Sequence, residues 1–181
     1  MDDVGEDLPS VVRAARAGDH RAFAALHARY ARMIHAILLS RLPPADAEDL
    51  VQEVFLIAWR KLVQLDDPGV FGAWLATIAR HRAADHHRRK RPAEPLPDSM
   101  ADPRGPTSDR AEARAVLAAI RTLPEAYRET LLMRLCEGMS GPEIAKVTGL
   151  EPGSVRVNLH RGMRLLREQL GIEVKEVAAH E

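Results

Sequence analysis

The chain has 181 residues, enough for one large domain or two small ones, and 46% of them are apolar, enough to fill buried cores. Its formal net charge is zero and it holds one cysteine, Cys136, which excludes an internal disulfide and a cysteine zinc site and fits a reducing cytoplasm. No apolar run approaches the roughly 18–20 residues needed to cross a bilayer. The opening residues are acidic where a signal peptide would be basic, so the expected location is the cytoplasm, without membrane insertion.

Apolar residues recur three and four apart with no sustained strand alternation, and the richness in Ala, Leu, Arg and Glu favours helix. The expected fold class is therefore all-α. A short helix is expected near 8–17. Asp19 caps a second one carrying Phe23, Leu26, Tyr30, Ile34, Ile37 and Leu38 on one face, and Pro43 with Pro44 ends it. A third runs over about 45–65, a turn follows at 66–69, and a fourth runs from about Val70 to Arg91.

Residues 92–107 hold five of the twelve prolines, with Asp, Ser and Gly and little that could pack, and read as a flexible linker. Helical patterning returns at 111–122, 124–137, 140–148 and 154–170. The division is then two small helical domains, 1–91 and 108–171, joined by the linker 92–107 and followed by a tail at 172–181.

In the second domain, Ser140 and Glu143 stand at capping-box spacing, and Gly149 is placed to end a short helix. A turn at 150–153 leads into a long helix opened by Ser154, the layout of a helix-turn-helix whose second member enters the major groove. At about 100° per residue, Val155, Leu159, Met163, Leu166 and Leu170 share an inner face, with Gly162 allowing close packing. Val157, His160, Arg161 and Arg164 fall opposite, Arg156 lies at one margin with Arg167, and Asn158 nearer the other flank. Arginine forks there can bridge guanine acceptors or grip phosphate, and Ser154 with the helix N-terminus can hold a phosphate.

In the first domain, the 45–65 helix sets Leu56 among Asp49, Gln52 and Glu53, a mixture suited to docking a protein; the alternative is an exposed leucine with no role. The next helix begins with Phe71, Trp74, Leu75 and Ile78, then turns basic on nearly every side with Arg80, His81, Arg82, His86, His87, Arg88 and Arg89. Such a segment needs anionic partners, and DNA phosphate supplies them. Phe71 and Trp74 read first as core and second as platforms for unstacked bases.

Catalytic chemistry finds no foothold: there is no glycine-rich phosphate loop, nucleophile elbow or set of carboxylates against a base, so the chain is not expected to be an enzyme or to carry a cofactor. His81, His86 and His87 are spaced by five and one, which does not align metal ligands on a helix face, so no metal is expected. Cys136, next to the apolar run at 131–135, reads as a buried core thiol.

Residues 46–59 (DAEDLVQEVFLIAW) followed by 71–80 (FGAWLATIAR) resemble region 2 of the sigma-70 family, and 140–145 (SGPEIA) through 153–161 (GSVRVNLHR) resemble region 4. With only these regions and a short linker, the chain is similar to the extracytoplasmic-function group, the likeness covering about residues 10–170. The resemblance implies a sigma factor that binds core RNA polymerase, through the beta-prime clamp helices and the beta subunit, and directs initiation at chosen promoters. It implies polymerase docking by Asp49, Gln52, Glu53 and Leu56. It implies minus-ten recognition and melting by Phe71, Trp74, Arg80, His81, Arg82, Arg88 and Arg89. Minus-thirty-five reading falls to Ser154, Arg156, Val157, Asn158, His160, Arg161 and Arg164, and an anti-sigma factor is an expected partner.

Two departures bear on promoter choice. Many relatives carry Asn where His81 stands and Ser-Arg where Val157-Asn158 stand, so the base preferences of relatives do not carry over. The rival reading is a dimeric helix-turn-helix regulator acting without polymerase. It explains the second domain and leaves the Asp49–Leu56 patch and the basic helix without a purpose.

Overall fold

The computed structural model describes residues 7–90 and 108–172, all of whose regular elements are helical. The expected linker at 92–107 and all but Ile172 of the expected tail lie outside the described residues.

Helix α1 (Leu8–Arg16) buries Val11, Val12 and Ala15 and ends at Gly18, whose φ of 98° reverses the chain at a value that costs other residues dearly. Asp19 then caps α2 (His20–Leu39), its Oδ1 accepting from the amides of Arg21 at 2.7 Å and Ala22 at 3.2 Å. The central α2 buries Leu26, Tyr30, Met33, Ile34, Ile37 and Leu38.

Helix α3 (Pro44–Lys61) starts on Pro44, whose fixed φ suits a first turn that needs no amide there. It ends four residues earlier than the sequence pattern suggests, because the chain tightens into a 3₁₀ turn at Leu62–Gln64. In such a turn residues three apart eclipse, which puts both Leu62 and Leu65 into the core. A second 3₁₀ turn, Pro68–Val70, is held by Asp67 Oδ1 accepting from the Gly69 amide at 2.8 Å, and leads into α4 (Phe71–Lys90).

The second half comprises α5 (Ser108–Thr122), α6 (Glu125–Leu135), α7 (Gly141–Thr148) and α8 (Pro152–Gln169). Helix α8 begins two residues before Ser154, with Glu151 at the cap position and Pro152 at the start, so Ser154 sits inside the first turn. Cys136 does not join the core. Helix α6 stops at Leu135, the chain turns out through Gly138 at φ 63°, and the cysteine is left exposed.

The halves do not stand apart. Helices α2 and α4 pack on α6 and α7, and one apolar cluster runs from Val11 to Leu166. Arg121 reinforces the seam by donating to the carbonyls of Leu39 and Leu42. His35 Nδ1 lies 2.6 Å from Glu137 Oε1, and Arg32 donates to the Glu137 carbonyl.

Candidate nucleic-acid interface

Helix α3 presents Asp49, Gln52, Glu53 and Leu56 to solvent on one side, with Ala47, Leu50, Val54, Phe55 and Ala58 buried on the other. Leu56 is 56% exposed, one of several large apolar side chains left on the surface, and the one that stands among these polar residues. The predicted grouping of an apolar centre with acids and an amide therefore exists as a surface. One member is already engaged: Glu53 accepts from Arg82 of α4, so this patch and the basic helix are joined by an ion pair.

On α4 the structure corrects part of the expected strand-binding set. Phe71 is 0% exposed, its ring edge-on to Tyr30 with centroids 5.2 Å apart, and in this arrangement it is core, unable to meet a base. Trp74 is half-buried, 5.8 Å from Phe71 ring to ring. Of the basic residues, His81, His87, Arg88 and Arg89 are exposed.

Much of the segment that looked all-round basic has acidic partners within the chain. Arg82 pairs with Glu53 and lies 3.8 Å from Asp85, Arg88 donates to Asp85, and His86 Nε2 lies 3.3 Å from Asp46. Arg80 reaches across to α6, donating from Nε at 3.1 Å and Nη2 at 2.8 Å to the two oxygens of Glu129. That hydrogen bond raises the Arg80 pKa further above its ordinary value, against the opposing effect of burial.

The helix-turn-helix forms as the residues dictate. Ser140 Oγ accepts from the Glu143 amide at 3.4 Å while Glu143 accepts from the Ser140 amide at 2.6 Å, and Gly149 closes α7 at φ 74°. The Ser140 amide and hydroxyl hold the Glu143 carboxyl below its ordinary pKa. Gly162 lets α8 lie against α6: an added Cβ would meet Leu131 Cδ1 and Tyr127 Cβ at 3.1 Å.

Across α8 from that seam, Ser154, Arg156, Val157, His160, Arg161 and Arg164 are exposed, so the predicted reading face is open even with the halves packed together. His160, Arg161 and Arg164 line one shallow hollow with Tyr127 and Leu165, a basic recess of the kind that holds phosphate. Asn158 parts from this set. It is half-buried and turns toward the cleft between the halves that Arg80, Glu129 and Leu150 also line.

Sequence reasoning missed Arg41, Glu125 and Glu129. Arg41 Nη1 donates to Glu129 Oε1 at 2.7 Å and its Nη2 lies 2.5 Å from Glu125 Oε1, contacts that bridge more than eighty positions and leave no local trace. The one available signal was Glu125 and Glu129, a like-charged pair at helical spacing that calls for outside cations.

Comparison with known proteins follows the same division. Residues 26–93 match the family described as Sigma-70 region 2, and residues 113–166 match Sigma-70, region 4. The chain is 33% identical over 180 residues to the ECF RNA polymerase sigma factor SigD of Mycobacterium tuberculosis, covering 92% of this chain and 85% of that protein. RNA polymerase sigma factor CarQ of Myxococcus xanthus is 34% identical over 169 residues, covering 90% of this chain and 97% of that one. Among solved structures, that of CnrH with the cytosolic domain of CnrY superimposes with a TM-score of 0.59 at 27% identity, covering 92% of this chain and 98% of that chain. The region 2 match accounts for the half that a free-standing dimeric regulator leaves without a purpose. The chain belongs to the extracytoplasmic-function group of the sigma-70 family and is an RNA polymerase sigma factor.

Proposed function

We propose that this sigma factor docks on the beta-prime clamp helices of core polymerase through Asp49, Gln52, Glu53 and Leu56, with the beta subunit as a further contact. The α8 face, Ser154, Arg156, Val157, His160, Arg161 and Arg164, reads the minus-thirty-five element as duplex. Asn158 joins it once the halves separate. Trp74, Arg80, His81, Arg82, Arg88 and Arg89 engage the minus-ten element and its opened strand. The protein makes no covalent bond itself: binding energy offsets unstacking, which costs a few kcal/mol, and polymerase performs the chemistry.

The observation that carries this reading is the presence of two chemically distinct surfaces on one chain. The α3 surface is acidic with an exposed leucine, and the α8 surface is basic and follows a capped helix and turn. A protein partner suits the first and a nucleic-acid backbone the second. The working compartment is the cytoplasm, where polymerase and promoters meet; no described helix is long and apolar enough to cross a membrane. CnrH was solved with the cytosolic domain of CnrY, and by analogy an anti-sigma partner holds this chain inactive.

Run-off transcription tests the proposal. Purified chain added to bare core polymerase should start transcripts at defined positions on genomic DNA, and failure to initiate at any salt concentration would overturn it. Sequencing those starts also yields the promoter consensus.

A further inference from the structure

Glu125 and Glu129 stand one turn apart on α6, and both carboxylates are seated between two arginines of the other half. Glu129 receives three donated contacts: Arg41 Nη1 at 2.7 Å, Arg80 Nε at 3.1 Å and Arg80 Nη2 at 2.8 Å. Glu125 Oε1 lies 2.5 Å from Arg41 Nη2 and 3.3 Å from Arg80 Nε. The enclosure is uneven: side-chain exposure is 9% for Glu129 and 15% for Arg41, against 39% for Arg80 and 54% for Glu125.

Arg41 is aimed by its own half. Its Nη1 donates to Ser40 Oγ at 2.7 Å, and that hydroxyl donates to the Ile37 carbonyl at 2.6 Å. The guanidinium therefore keeps its direction when α6 leaves. Separation of the halves would leave it beside Arg80 without its counter-charge, two neighbouring cations newly open to solvent. The open form thus offers a paired-cation site at the place the glutamates occupied. A phosphodiester offers what the glutamates offer, paired anionic oxygens that an arginine fork grips at two points.

We infer that Arg41 and Arg80 form one site for a phosphate of the promoter strand, and that Glu125 and Glu129 fill it when the halves are closed. Closure and strand binding then exclude each other. This rests on the reading of α4 as the strand-facing helix, and it adds Arg41, a residue of the α2–α3 connection, to the nucleic-acid surface. The acidic pair of α6 then stands in for DNA until DNA arrives.

The test uses the full chain without polymerase. The probe is a fluorescein-labelled single-stranded oligodeoxynucleotide of about twelve nucleotides, long enough to span a strand-binding groove. Fluorescence anisotropy reads affinity, and small-angle scattering reads the radius of gyration. Replacing both carboxylates (E125Q with E129Q) should expand the chain and tighten binding about tenfold, because the competing anion is gone. Adding Arg41→Ala to that variant should return affinity to the parent's.

Glu125→Gln alone, at an exposed position, should give a smaller gain in the same direction and decides the matter if the double variant does not fold. Unchanged affinity in the carboxylate variants, or a gain that survives Arg41→Ala, overturns the inference. Run-off transcription by the parent keeps the two readings apart. Failure there sinks the sigma-factor mechanism and leaves the anisotropy comparison standing, whereas normal initiation with unaltered oligonucleotide binding in the variants sinks only this inference.

Discussion

Gly72, in the first turn of α4, faces the carbonyl of Val147 near the end of α7 with no room for a side chain between them. A Cβ there would clash with that backbone oxygen and lie 2.9 Å from Tyr30 Cε1. The carbonyl cannot rotate away as a flexible side chain could, so the two halves must part or the helices shift. Gly72→Ala is expected to raise the radius of gyration by small-angle scattering. Thermal unfolding should show a loss of about 1–3 kcal/mol, the usual cost of overpacking.

Closure should also depend on pH. The His35 pKa is raised, first by its hydrogen bond to Glu137 and then by the charges of Glu137 and Glu48, against desolvation. A raised folded-state pKa means that the closed form binds the proton more tightly than the unfolded chain does. The stabilisation is complete below about pH 6.5, the ordinary imidazole value, and fades as pH rises through the raised value. Melting temperatures should therefore fall between pH 6 and pH 8, and His35→Gln should flatten that trend.

The capping box at Ser140 gives a local prediction. Ser140→Ala removes the acceptor for the Glu143 amide, at a typical cost of about 1 kcal/mol. Because α7 braces α8, the loss should appear both as a lower melting temperature and as weaker binding to duplex promoter DNA, measured by calorimetry and gel shift.

Two variants on separate surfaces should separate the two binding roles. Arg161→Ala should weaken use of the upstream element and lower the salt slope of duplex binding by about one if the contact is to phosphate. Asp49→Ala with Leu56→Ala should reduce association with core polymerase in native gels while leaving duplex binding by the free protein unchanged. Reversal of these outcomes would exchange the two surface assignments.

Features decided within one or two helical turns were legible in the sequence. Asp19, Ser140 and Gly149 act on neighbours a few residues away, so type and spacing reveal them. The exposure of Leu56 followed from helical periodicity alone. Pro152 signals the start of α8, but Ser154 is an equally good cap in type, and only the fold chooses between them. Cys136 follows an apolar run and keeps helical geometry, yet it falls on the exposed side of the last turn with Arg134 and Leu135.

The basic stretch of α4 misled for a different reason. Its partners Glu53, Asp46, Glu125 and Glu129 lie on other helices, and pairing over such separations depends on how the helices pack. Phe71 was ambiguous in the same way. Its neighbour Tyr30 comes from α2, and only that contact assigns the ring to the interior.

The closed arrangement joins α2 and α4 to α6 and α7 within a single polypeptide. Each face therefore meets the other at a fixed effective concentration, whatever the amount of protein in the cell. A dimer held by the same contacts would fall apart on dilution; this chain will not. Closure is therefore insensitive to expression level, and competing ligands, pH and ionic strength are what can bias it.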